Sequence, residues 1–377
     1  MQIKAFSARH TSLAFELACR NYAEERAAVP ALPDVRPAPP QLFAENGLGV
    51  AALEEGRMLG FLGCYEPWEN AFTGTARGTF SPIEAHGAVP EQREKIYRLL
   101  YQAAAEKWVE AGIASHSIAL YAHDDAARRA FFTCGFGLRC VDAVRGMDEV
   151  HLPSSSIANS SIGTREPHGC PVHVEDRSSS QEIRAYGEQS QDAAPHSRLS
   201  FQARQTAVYA EAGRDELPLV APLGVLLARH LAASPCFMCP SREETDASWL
   251  ARREERGSRV FTAAFDGTII AFLEITSDGE NFATLSPGMA NVCGAYCLPE
   301  FRRQGVMPRL LNCAVRALRR EGYLQLGVDY ESFNLAAQGF WPKYFTPYTY
   351  GVVRRIDENV FMKRKQYAPE GDGYAKK

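Results

Sequence analysis

The feature that most constrains this chain is a displaced copy of its own punctuation. Gly322 stands 210 positions after Gly112, Ala337 stands 210 after Ala127, and Asn334 stands 210 after Asp124. A spacing held across several landmarks argues for two copies of one order of elements. In the second half, Arg259–Phe265 and Thr268–Thr276 are β-rich runs on either side of Asp266-Gly267, a hairpin turn signal. Residues 290–298 read as a third strand and 299–307 as a loop. Residues 308–321 then place Leu310, Leu311, Ala314, Val315 and Leu318 at helical spacing, and Gly322 ends that helix. A strand at 324–329, a short helix at 334–344 and a last strand at 348–356 complete the copy. The first half repeats this order: a hairpin about Glu55-Gly56, a helix over 90–111 ended by Gly112, a strand at 118–121, a helix at 124–134 and a strand at 138–144. Helical segments at 11–26 and 222–233 open the two copies.

Composition narrows the class. A chain of 377 residues, 46% hydrophobic and 23% charged, has enough material for two globular cores. The expected organisation is an N-terminal domain over 1–150, a linker or crossover over 151–200 and a C-terminal domain over 201–377. The linker is Ser-, His-, Gln- and Arg-rich, and the tail at 370–377 is expected to fray. A net charge of −4 gives no support to a nucleic-acid or anionic-membrane partner. No apolar run approaches the roughly 18 residues of a membrane span, and the N-terminus has no signal-peptide core. Ten cysteines then read as reduced thiols in a cytoplasmic protein. Cys236 and Cys239 form a C-x-x-C without a second pair, which reads as loop packing; no metal site is expected.

The chemistry concentrates in one loop. Residues 301–307, Phe-Arg-Arg-Gln-Gly-Val-Met, connect a strand to a helix. Such a junction presents free N–H groups to an anion, and Gly305 allows close backbone approach. Arg302, Arg303 and Arg309 add positive charge, so the loop suits a pyrophosphate.

In this order of elements, the Arg302–Met307 loop resembles the Q/R-x-x-G-x-G/A hallmark of the GNAT superfamily of N-acetyltransferases, with Met307 in place of the last Gly or Ala. A second likeness follows in Asn334, Ala337, Phe340 and Trp341. The resemblance implies an α/β (α+β) protein with two GNAT-like acyl-CoA N-acyltransferase folds in tandem, each a mixed twisted sheet flanked by helices. It implies acetyl-CoA as co-substrate, held by Arg302, Arg303, Gln304, Gly305, Val306 and Met307 at the phosphates. The backbone of Tyr296, Cys297 and Leu298 would lie along the pantetheine arm, with Asn334 and Trp341 beside it. The family's leaving-group tyrosine is replaced by Trp341, and Tyr344 is the expected substitute acid. Carboxylates considered as base are Glu274, Asp329 and Glu331; Glu274 is the one selected, although a strand carboxylate of this kind ordinarily lies on a solvated face.

At the same offset Lys95 stands opposite Gly305, Tyr97 opposite Met307, Asp124 opposite Asn334 and Phe131 opposite Trp341. The N-terminal copy is therefore expected to keep the fold without the cofactor, with His86-Gly87 and His123-Asp124 lining a shared cleft. The expected activity is transfer of an acetyl group from acetyl-CoA to an amine of a small-molecule or peptide acceptor by direct attack. A non-catalytic acyl-CoA-binding or interaction module is the alternative, and a transferase using charged tRNA is disfavoured by the charge balance. No acid-rich or aromatic cluster that would select an acceptor is visible along the chain.

Overall fold

The computed structural model describes residues 1–74, 76–152, 164–165, 171–172, 207–239 and 243–359. The expected linker therefore falls almost wholly outside the described residues, and the expected frayed tail entirely so. The first half contains β1 (Gln2–Ala5), α1 (Thr11–Ala28), α2 (Gln41–Glu45), β2 (Val50–Glu54), β3 (Arg57–Leu62), β4 (Gly78–Ser81), β5 (His86–Ala88), α3 (Arg93–Glu110), β6 (Ser115–Tyr121), α4 (Asp125–Thr133) and β7 (Gly137–Gly146). A two-stranded ribbon, β8 (Thr164–Arg165) and β9 (Pro171–Val172), follows. The second half contains β10 (Val208–Glu211), α5 (Leu217–Ala232), α6 (Asp246–Arg256), β11 (Arg259–Phe265), β12 (Thr268–Thr276), β13 (Met289–Cys297), α7 (Val306–Arg320), β14 (Gln325–Glu331), α8 (Leu335–Phe340) and β15 (Thr346–Arg355).

Local chemistry explains why the halves match. Both hairpins turn on two residues with positive φ, Glu55 and Gly56 in one and Asp266 and Gly267 in the other. That geometry follows the right-handed twist of the flanking strands. Both long helices end at a left-handed glycine, Gly112 at φ 76° and Gly322 at φ 91°. Both short helices are capped by a side chain: Asp124 accepts from the Ala127 N–H, and Asn334 from the N–H groups of Ala336 and Ala337.

The starts of the long helices correct the expected alignment. Helix α3 has 18 residues and α7 has 15. Their ends keep the 210-residue offset, so their starts do not. The left-handed residue that opens α3 is Gln92, at φ 55°, where Gly305 opens α7 at φ 77°. Lys95 instead lies inside the first turn of α3, its ammonium donating to Gln92 Oε1.

The two halves are joined by strand exchange. Nine strands form one sheet in the order β10-β11-β12-β13-β14-β7-β15-β6-β4. Strand β7 of the first half pairs with the full length of β14 of the second, from Gly146↔Gln325 to Cys140↔Glu331. Strand β15 of the second half in turn pairs with β6 of the first, and β7 and β15 pair with each other at the centre. A smaller sheet, β1-β2-β3-β5, completes the first half. The strand continuous as β13 in the second half is broken into β4 and β5 in the first, and the sheet divides at that break.

Helix α7 covers one face of the large sheet, packing Leu310, Leu311, Ala314, Val315 and Leu318 against Ala290, Val292, Leu326 and Val328. On the other face, α5 and α6 pack Val220, Leu223 and Trp249 against Val260, Phe272 and Tyr296. Gly224 allows this second contact: a Cβ there would lie 2.1 Å from the Trp249 ring. A separate buried cluster, including Tyr22, Tyr121, Val144, Met289 and Tyr348, joins residues from both halves. Among the described residues no helix is long and apolar enough to cross a membrane.

Because β7 is hydrogen-bonded on both edges, a proline there removes a ladder bond from the middle of the sheet. Val141→Pro is expected to cost about 3 kcal/mol or more. Scanning calorimetry should show it lowering one shared transition of both halves. Two resolved transitions, with only one of them shifted, would contradict this coupling.

Candidate functional site

The parallel ladder between β13 and β14 runs from Met289↔Gln325 to Val292↔Val328 and stops there. Beyond it, 293–297 and 329–331 continue without pairing to each other. The cause lies on the other side of β13. Its register with β12 steps from Ile275↔Val292 to Glu274↔Gly294, so Cys293 is the extra residue of a β-bulge. A bulge bends its strand and increases the local twist. The facing edge of 293–297 is left without a ladder partner among the described residues, and such backbone groups require one.

The Arg302–Met307 loop sits at the end of this parted strand. Gly305 is left-handed, as is Arg303 at φ 60°, so the chain folds back sharply before entering α7. The first-turn N–H groups of α7 have no acceptor within the helix, and the helix dipole favours an anion there. The three arginines divide their work. Arg302 turns inward: its Nε donates to the Cys297 carbonyl at 2.9 Å, and its guanidinium stands 5.3 Å from the Tyr296 ring centre. Arg309 donates to the Gly305 carbonyl at 3.1 Å, and Gln304 donates to the Glu300 carbonyl at 2.6 Å. Arg303 is exposed and extends from the turn itself. Val306 is buried and Met307 packs partly against the α7-side core, so their side chains belong to the core and their amides to the loop.

The remaining expected site residues separate into those at the parting and those in the core. Tyr296 is buried beneath α5, and His230 of α5 stands over it in an edge contact at 6.4 Å. The same imidazole reaches Asn334 Oδ1 at 3.4 Å, so α5 touches both sides of the parting. Cys297 is buried and Leu298 half-buried. Trp341 is 6% exposed and packs on Phe340 and Phe345, which makes it a core residue. Tyr344 is half-buried against Phe340 at 5.0 Å, and burial raises its phenol pKa. Glu274 departs from the solvated face expected of it. It is 1% exposed and forms an ion pair with Arg253, whose guanidinium lies 3.9 Å from the Trp249 ring centre.

An acidic group was not legible along the chain and appears only in the fold. Asp142 of β7 lies directly opposite Asp329 of β14, with Thr349 of β15 on its other side. The Thr349 hydroxyl donates to Asp142 Oδ2. Glu280, from the segment between β12 and β13, acts on the charge of both aspartates. Burial first, and then the neighbouring carboxylates, push Asp142 and Asp329 up to about 7, and burial also raises Glu280. Asp329 and Glu280 are nevertheless solvent-exposed. Glu331, on the same strand face as Asp329, is paired with Arg139 at 2.8 Å.

The corresponding parting in the first half is filled. His86 of β5 is 2% exposed; its Nε2 lies 2.7 Å from the Ala119 carbonyl of β6, and its Nδ1 lies 3.1 Å from the Tyr97 hydroxyl. Burial lowers the His86 pKa, so the ring is neutral. His86 therefore closes the gap between the strands and does not line a cleft. His123 bonds Glu25 at 2.9 Å, while Asp124 caps α4 and pairs with Arg93 at 3.2 Å.

The acetyltransferase (GNAT) family model matches residues 228–345, from the end of α5 to the start of β15. No curated protein matches the chain in sequence. Among solved structures, the chain is similar to a GCN5-related N-acetyltransferase from Sphaerobacter thermophilus, at 9% identity over 94% of this chain and 95% of that one, with a TM-score of 0.46. It is also similar to a GNAT-family acetyltransferase from Colwellia psychrerythraea, at 12% identity over 94% and 98%, TM-score 0.41. A tandem GNAT protein from the clavulanic acid biosynthesis pathway gives 12% identity over 94% and 98%, TM-score 0.40.

The acidic group has a consequence for stability. A carboxyl whose folded pKa is raised favours folding below its unfolded pKa, near 3.9, and loses that contribution as pH rises through about 7. One pKa unit corresponds to about 1.4 kcal/mol. Asp142→Asn keeps an acceptor for Thr349 and removes the charge. Its melting temperature is expected to exceed that of the unsubstituted protein at pH 8 and to converge with it near pH 4.5. Equal pH dependence of the two proteins would contradict a raised Asp142.

Proposed function

We propose that the second half transfers an acetyl group from acetyl-CoA to an amine. The observation that carries this reading is the parting of β13 from β14 directly before the left-handed Gly305 turn into α7. The edge of 293–297, without a ladder partner among the described residues, offers amide partners to an extended pantetheine arm, as a missing strand would. The α7 N-terminus and Arg303 offer donors and positive charge to a pyrophosphate.

Acetyl-CoA supplies an activated acyl carbon in a thioester. The amine nitrogen bonds to that carbon as the carbon–sulfur bond breaks, the electron pair leaving with sulfur; nitrogen releases one proton and sulfur gains one. Orientation of the two substrates across the parting supplies much of the rate. Glu274 is held by Arg253, which leaves Asp329 as the better-placed base. Asp329 is the first residue of β14 beyond the ladder, and a carboxyl near 7 suits proton removal at neutral pH. Tyr344 keeps the role of acid, its phenol being held protonated by burial. The first half, with His86 across its gap, acts as a partner to the sheet and binds no cofactor.

Trp341 favours one second reading. As a core residue at the position of the family's proton-donating tyrosine, it fits a module that binds acyl-CoA without turnover.

Calorimetric titration with acetyl-CoA should give one site per chain with a dissociation constant below 1 mM (about −4 kcal/mol). Gly305→Asp places a side chain in the left-handed region and a negative charge at the phosphates. It is expected to weaken binding at least ~10-fold, about 1.4 kcal/mol. Absence of binding at millimolar ligand would overturn the proposal. Binding without thiol release across a panel of amines would leave the second reading.

A further inference from the structure

Resting on the acetyl-transfer reading, we infer that Arg253 and Glu274 are positioning residues. Their buried ion pair fixes the bulge at Cys293, and through it the parting that receives the donor. Glu274 lies on the same side of β12 as Phe272, the side covered by α5 and α6, and both members of the pair are buried. Charges buried this deeply are rare, and the best-attested use of such a pair is to fix a register.

Register is where this pair acts. Regular pairing after Ile275↔Val292 would continue to Glu274↔Cys293, but the observed partner of Glu274 is Gly294, because Cys293 is inserted. Residues paired across antiparallel strands share a face, so the partner's Cβ stands beside the Glu274 side chain. A Cβ added at Gly294 would lie 3.0 Å from Glu274 Oε2 and 3.5 Å from the Phe272 ring. The regular register would put the Cys293 Cβ into that space. The bulge therefore brings to Glu274 the one residue type that leaves room for its carboxylate. On the other edge of β12 there is no step at this point: Glu274 pairs with Val260 between Ile275↔Arg259 and Leu273↔Phe261. The irregularity belongs to β13 alone.

The carboxylate is held in place from α6. Arg253 Nη1 donates to the Trp249 carbonyl at 2.9 Å, and Nη2 pairs with Glu274 Oε2. The guanidinium lies over the Trp249 ring, and Trp249 meets Phe272 edge-on at 5.8 Å. Moving either charge away from the other would leave it buried and alone. Elements α6, β12 and β13 thus interlock one residue beyond Val292, where the ladder between β13 and β14 ends.

The test is the double variant Arg253→Met/Glu274→Met, which removes both charges together and keeps long side chains. Amide hydrogen exchange over 293–297 in the full chain without ligand reads the parting, and calorimetric titration reads acetyl-CoA binding. The folded double variant is expected to exchange at least ~5-fold more slowly over 293–297, as β13 pairs with β14. It is expected to bind acetyl-CoA at least ~10-fold more weakly. Gly294→Ala probes the same device with both charges kept. A Cβ then opposes Glu274 in either register, the bulged one loses its advantage, and both readouts should move the same way. Unchanged exchange in a folded variant, or slower exchange with unchanged acetyl-CoA affinity, would overturn the inference. Failure of both variants to fold would make the pair a requirement of the fold and overturn its positioning role. Slower exchange in the variants, with no acetyl-CoA bound by the unsubstituted protein, would uphold the bulge device and overturn the acetyl-transfer reading.

Discussion

The exchange of β7 and β15 is the contact on which the rest of this molecule depends. Each half has a strand order that stops one strand short, and each completes it with the last strand of the other. The centre of the nine-stranded sheet, β14-β7-β15-β6, therefore alternates between halves. Neither half owns the edge that its last strand would otherwise leave exposed, and unpaired edges are what sheets must protect. Function follows from the same contact. Asp142 belongs to the first half in sequence and stands opposite Asp329 of the second half in space.

The two copies diverge at one mechanical point. In the second half the bulge at Cys293 keeps β13 as a single strand that bends away from β14 and leaves a gap. In the first half the same strand is cut into β4 and β5, and the His86 imidazole spans the resulting gap to the Ala119 carbonyl. Satisfying a backbone group from inside the protein removes the vacancy that an extended ligand would fill. Three additional residues at the start of α3 accompany this closure, with Gln92 in the left-handed position that Gly305 occupies without a steric cost.

What the sequence discloses and conceals follows from the range of the interactions. The hairpins at Glu55-Gly56 and Asp266-Gly267, the glycine ends of both long helices and the caps at Asp124 and Asn334 are local events with local signatures. The turn at Gly305 between strand and helix was legible for the same reason. The start of α3 was not, because a constant offset carries no information about a three-residue difference between two points where it holds. Strand exchange was hidden because β7 and β15 present the same pattern of apolar residues whichever half they pair with. The burial of Glu274 depends on Arg253, 21 residues earlier on α6, and no periodicity announces that pair. The acidic group is harder still, since Asp142 and Asp329 are opposed only once the strands are exchanged.

Asp142 breaks a rule that the surrounding sheet obeys. Val141, Ala143 and Val144 are buried apolar residues of the same strand, and an apolar side chain at 142 would relieve both desolvation and repulsion from Asp329. The Thr349 hydroxyl shows that the neighbouring strand is adapted to the carboxylate, since a threonine there donates to one oxygen and leaves the other. Local violations of packing logic that are supported on one side only are where a fold gives up stability for chemistry. In this sheet that site coincides with the junction of the two halves, so the element that closes the architecture also carries the desolvated carboxyl.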